Sequence, residues 1–144
     1  MRGLYEIINK ENNRVYVGES LNITNRWKDH IKMLENNSHY NYKLQEDFNK
    51  YGEHAFEFKI HMLIDENISN DTTKYLLLEL ERSRINFHKK YNTEIYNLED
   101  TLDALMTGKR NNRNFNKKEF LKTKDDLWKQ RKYCILGNVI MKKF

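Results

Sequence analysis

Gly3-Leu4-Tyr5-Glu6-Ile7-Ile8-Asn9 and Arg14-Val15-Tyr16-Val17-Gly18 are the two runs on which the fold turns. Both are rich in aromatic and β-branched residues, and Lys10-Glu11-Asn12-Asn13 between them is turn material. The pair therefore predicts a β-hairpin whose second strand ends at Gly18. Outward from it, Asn22 or Thr24 can cap a helix over about 23–35, with Ile23, Trp27, Ile31 and Leu34 at helical spacing. Tyr42, Leu44, Phe48 and Tyr51 predict a second helix that stops at Gly52. Phe56 to Met62 alternates apolar with polar residues, as a third strand does. A polar loop from Asp65 to Asp71 leads into a long helix over about 72–90, and a turn at Asn92 to Ile95 precedes Tyr96-Asn97. The order β-β-α-α-β-α gives an α+β domain over 1–100, a small three-stranded mixed or antiparallel sheet flanked by helices.

Residues 101–144 form an extension expected to be basic and mainly helical. Thr101 to Met106 is followed by a polar basic stretch from Gly108 to Lys118, a helix over about 117–133 and an apolar end with Ile135, Leu136, Val139, Ile140 and Met141. The net charge of +5 conceals an asymmetry. Residues 108–144 hold 12 of the 26 Lys and Arg and only 3 of the 21 acidic residues, which leaves 14 basic and 18 acidic in 1–107. A mildly acidic body with a strongly basic end concentrates phosphate attraction in the extension. Lys109, Arg110, Arg113, Lys117 and Lys118 are the candidate DNA contacts. The same helix could instead pack Phe120, Leu121, Trp128 and Tyr133 on the body or on a second subunit, so a homodimer through the extension stays open.

One cysteine, Cys134, excludes an internal disulfide framework and suits a reducing, intracellular setting. No stretch approaches the roughly 20 apolar residues of a membrane span. His39, His54, His61 and His88 form no zinc-ligand pattern with Cys134.

Gly3-Leu4-Tyr5 and Tyr16-Val17-Gly18, with ten residues between the two tyrosines, resemble the signature tripeptides of the GIY-YIG nuclease family. Leu stands for the first Ile and Val for the second. Arg26 and His30 at i, i+4 on the first helix, Glu81 on the long helix and Asn97 after Tyr96 extend the resemblance over residues 3–97. It implies a DNA endonuclease that hydrolyses phosphodiester bonds with a single metal ion and a water nucleophile. It also implies Tyr5 as the base, Tyr16 organising water and phosphate beside it, and Asn97 bracing the site. The motif set is closer to the homing branch carried by phages and mobile elements than to the structure-specific repair branch. A type II-like restriction nuclease acting as a dimer or tetramer, and a catalytically silent DNA-binding module, are the alternatives.

The residue types suit this chemistry. Glu81 is a hard oxygen ligand for Mg²⁺, with Mn²⁺ as a substitute; Mg²⁺ keeps most of its waters and takes one or two carboxylates. Arg26 offers a permanently charged planar fork for a phosphate. His30, one turn later, can hydrogen-bond a tyrosine or relay a proton. An unperturbed phenol titrates near pH ~10, so a tyrosine base needs nearby positive charge. Each residue also has an ordinary reading. Tyr5 and Tyr16 could be packing, Arg26 could pair with Asp29, and Glu81 could join Lys74, Arg82 and Arg84 in a surface ladder. Glu19, directly after Gly18, departs from the pattern by adding an acid where a phosphate would approach.

Overall fold

A computed structural model describes residues 1–99, 101–108, 115–129, 133–136 and 139–142. The hairpin consists of β1 (Gly3–Asn9) and β2 (Val15–Ser20), antiparallel, with Tyr5 opposite Gly18 and Ile7 opposite Tyr16. Its turn is built by asparagines. Asn9 Oδ1 and Asn12 Oδ1 accept from the Glu11 and Arg14 backbone N–H groups, and Asn13 takes the left-handed φ of 59° that Asn tolerates. The second strand does not stop at Gly18 but runs on to Ser20. Strand β3 (Phe56–Ile64) pairs antiparallel with the other side of β1, making β1 the central strand of these three.

Because side chains alternate across a strand, the sheet has two distinct faces. Tyr5, Ile7 and Tyr16 pack with Ile23 and Leu34 of α1 (Ile23–Glu35) and Leu44 of α2 (Tyr42–Tyr51). Leu4, Val15 and Val17 pack with Ile85 of α3 (Asn70–Lys90) on the opposite face. Asn22, Asn41 and Ser69 cap the three helices through side-chain oxygens, and Gly52, at φ 82°, ends α2. Tyr96 is fully buried; its hydroxyl donates to Asp47 at 2.6 Å and accepts from Asn9 at 3.0 Å.

The extension adds α4 (Thr101–Met106), α5 (Lys117–Lys129) and a hairpin, β4 (Tyr133–Leu136) and β5 (Val139–Lys142). The last helix is therefore shorter than its sequence periodicity suggests, with Tyr133 opening a strand. Strand β5 joins β3 in parallel, so the three-stranded sheet becomes five-stranded in the order β2-β1-β3-β5-β4. Helix α5 docks by one face: Phe120 is buried against Tyr75 and Phe115, and Lys124 pairs with Glu79 at 3.1 Å. Leu121 stays largely exposed, as do Lys117, Lys118 and Lys122. No helix among the described residues is long and apolar enough to cross a membrane.

Candidate active site

Tyr5 and Tyr16 lie on one face of the hairpin because they occupy alternate positions of paired strands. Gly18, directly opposite Tyr5, leaves the room the phenol needs. A Cβ built there would stand 2.4 Å from Tyr5 Cζ and 2.5 Å from Tyr5 Oη. Helix α1 supplies Arg26 and His30 one turn apart, and α3, packed on β2, supplies Glu81. Tyr5, Tyr16, Glu19, Arg26, Glu81 and Asn97 all line one cavity of about 380 Å³, with Tyr40 and Asn41 from the loop between α1 and α2. His30 lies behind this wall, completely buried.

Proton positions behind Tyr5 follow from donor chemistry. The backbone N–H of Asn41 can only donate, so His39 Nδ1, 3.0 Å away, accepts. Burial holds His39 at a pKa of about 4, so the ring is neutral at pH 7 and its proton sits on Nε2. That nitrogen lies 2.7 Å from His30 Nδ1 and donates to it. Burial, aided by the charge of Arg26, brings His30 to about 3. Its one proton is thus on Nε2, 2.7 Å from Tyr5 Oη. The Tyr5 oxygen accepts, and its own proton is free to point into the cavity. Trp27 supports the Tyr5 ring edge-on at 6.0 Å.

Burial raises the Tyr5 phenol far above its ordinary value, outweighing the opposing pull of Arg26. Tyr16 is raised likewise, with Tyr40 and Tyr5 adding to burial. Glu19 is pushed up by burial and pulled back by Arg26. Burial alone would lower Arg26, but the phenols of Tyr40, Tyr5 and Tyr16 outweigh it and hold the guanidinium charge firmly. Asn97 meets β2 with both ends of its amide: Oδ1 accepts from Val17 N–H at 2.9 Å and Nδ2 donates to Val17 C=O at 2.8 Å.

For a metal ion, the donor set is one buried carboxylate, Glu81, with Glu19 as a second acid in the same cavity. That suits Mg²⁺, which retains several waters. It does not suit zinc, since no group of three His, Cys, Asp or Glu side chains gathers among the described residues. Of the candidate DNA contacts, Lys117 and Lys118 stand exposed at the start of α5, while Lys109, Arg110 and Arg113 lie outside the described residues. Sequence reasoning missed His39, Tyr40 and Asn41. No spacing pattern marks them, because they meet Tyr5 and Tyr16 only through the turn between two helices.

Known proteins share the sequence and fold of this region. The family described as the GIY-YIG catalytic domain matches residues 1–97. Over 58 residues the chain is 48% identical to intron-associated endonuclease 1 of Enterobacteria phage T4, covering 40% of this chain and 23% of that protein. The solved catalytic domain of homing endonuclease I-TevI superimposes with a TM-score of 0.56 at 35% identity, covering 69% of this chain and all of that domain. A mutant of the I-TevI catalytic domain matches with the same TM-score at 37% identity, over 69% of this chain and 95% of that one. With residues 1–97 of its 144 so matched, the chain belongs to the GIY-YIG catalytic domain family.

Proposed function

We propose that this protein is a metal-dependent DNA endonuclease that hydrolyses phosphodiester bonds with water as the nucleophile. The observation that carries this reading is the convergence of Tyr5, Tyr16, Arg26 and Glu81 on one cavity, with His30 hydrogen-bonded to Tyr5 from behind. Glu81 is the residue that would hold Mg²⁺. A bound Mg²⁺ supplies positive charge that stabilises the developing phosphate oxyanion and eases deprotonation of water and phenol.

The chain's own groups do the rest. Arg26 directs its guanidinium at the phosphate and spreads the transition-state charge over planar donors. Tyr5, once its phenol has given its own proton to solvent, takes a proton from the water whose oxygen attacks phosphorus, while the P–O bond to the leaving sugar oxygen breaks and that oxygen is protonated from solvent. As the cavity stands, burial keeps the phenol protonated, so this role requires added positive charge beside it. His30 favours the deprotonated form by donating Nε2–H to the same oxygen, and His39 with Asn41 N–H keeps that donor in place. Tyr16 donates its hydroxyl to a phosphate oxygen or the water, and Asn97 fixes the strand that carries Tyr16.

The likeness to a phage intron-associated endonuclease supports a homing-type, site-preferring activity. The exposed lysines at the start of α5 would add backbone contacts to DNA. A plasmid cleavage assay with Mg²⁺, with EDTA, and with Glu81→Gln and Arg26→Ala tests this. Removing one such electrostatic group should lower the rate by about 10²–10³. Undiminished cutting by Glu81→Gln would overturn the metal mechanism, and a wild-type protein that cuts no DNA would point to a silent binding module. Sequencing the cut ends separates a long, loosely read site from the short palindrome of a restriction nuclease.

A further inference from the structure

Tyr40 has no place in the mechanism above, yet its hydroxyl touches two members of the site. Arg26 Nη2 lies 2.7 Å from Tyr40 Oη, and Tyr16 Oη lies 2.6 Å from the same oxygen. An arginine has no acceptor, so the first contact fixes Tyr40 as the acceptor from Arg26. At 2.6 Å one proton must lie between the two phenol oxygens. A hydroxyl whose oxygen already accepts from a cation is the better donor of the pair. Tyr40 therefore donates, Tyr16 accepts, and the proton of Tyr16 is turned toward the cavity.

The ring that does this is held mainly by site residues, because Tyr40 is 54% exposed. It stacks on His39 at 4.4 Å and 26°, and the Arg26 guanidinium sits 5.6 Å from its centroid. His39 and Tyr40, adjacent in one loop, thus serve the two hairpin tyrosines in the same sense. Each phenol oxygen receives a hydrogen bond from the protein side, so each phenol proton faces the substrate.

We propose that Tyr40 is a positioning residue for phosphodiester hydrolysis, acting through Tyr16 by aiming its hydroxyl into the cavity. This rests on the nuclease reading. The test compares wild type, Tyr40→Phe, Tyr16→Phe and the double variant, all full length and labelled with ¹³C at tyrosine Cζ. The Tyr16→Phe spectrum assigns the Tyr16 resonance. Tyr40→Phe should shift that resonance in the absence of DNA, leave Tm nearly unchanged, and slow single-turnover plasmid cleavage about 10-fold, the worth of one hydrogen bond. DNA affinity should hold, and Tyr40→Phe should cost nothing further in the Tyr16→Phe background, since the effect acts through Tyr16. An unmoved Tyr16 resonance, or equal slowing in both backgrounds, would overturn the proposal. If wild type cuts no DNA while the resonance still shifts, the nuclease reading fails and the proton arrangement survives it.

Discussion

Gly18 shows how much of this site depends on an absent side chain. It reads as the end of a strand, yet the strand runs through it to Ser20 because Glu19 and Ser20 still pair with Leu4 and Gly3 of β1; the glycine is there because the Tyr5 ring occupies the space a Cβ would need. Gly18→Ala should displace a buried phenol hydrogen-bonded to His30. We expect a stability loss of about 1–3 kcal/mol from overpacking and a cleavage rate down roughly 10²-fold from misplacement. Thermal melts and single-turnover kinetics would check both. The paired histidines give a pH dependence with a definite sign. His30 and His39 sit at about 3 and 4 in the fold, against an ordinary value near 6.5 when unfolded. The unfolded chain therefore binds more protons between these values, and stability should fall as pH drops from about 6.5 toward 4. Urea midpoints across that window should fall for wild type and fall less steeply for His39→Gln, where only His30 still contributes.

At the level of elements, legibility follows the range of the interactions. Ile23 and Leu34 announce α1 through their own spacing, and Gly52 stops α2 by local chemistry. The hairpin face shared by Tyr5 and Tyr16 is equally readable, since alternation is local. The apolar end around Val139 and Ile140 is not readable as strand, because its partners Leu63 and Ile64 lie far earlier in the chain. His39 and Tyr40 are illegible for the same reason. Nothing next to them in sequence reports that a loop turn brings them against the hairpin tyrosines. Asn97 acts for β2 as a neighbouring strand would, satisfying both backbone groups of Val17. Asn97→Ala leaves that N–H and C=O without their partner and should cost about 2 kcal/mol. Asn97→Asp keeps an acceptor for the N–H but faces the carbonyl with a negative charge, and should be no better in denaturant titrations.

Across the whole molecule, charge and chemistry are divided. The body that carries the cavity is mildly acidic, and the extension, docked through Phe120 and the Lys124–Glu79 pair, carries the positive balance. If α5 meets DNA by its exposed side, Lys117→Glu with Lys118→Glu should weaken binding to all sequences alike. The slope of log affinity against log salt should drop by about 0.9 for each phosphate that the variant no longer neutralises. Fluorescence anisotropy at several salt concentrations would read this, and an unchanged slope would leave the extension a packing element only.

The chain covers part of the outer margin of β2 with its own later residues. Val15 N–H and C=O bond to the backbone of Glu94 and Tyr96, and Val17 is closed by the Asn97 amide. A sheet margin with idle N–H and C=O groups templates the addition of foreign strands, and so aggregation. Here the chain has already occupied that template beside its own cavity. Along Val15 to Val17 an extended peptide, or a second copy of the protein, therefore finds no ladder to join, and what draws near that margin meets side chains and charge.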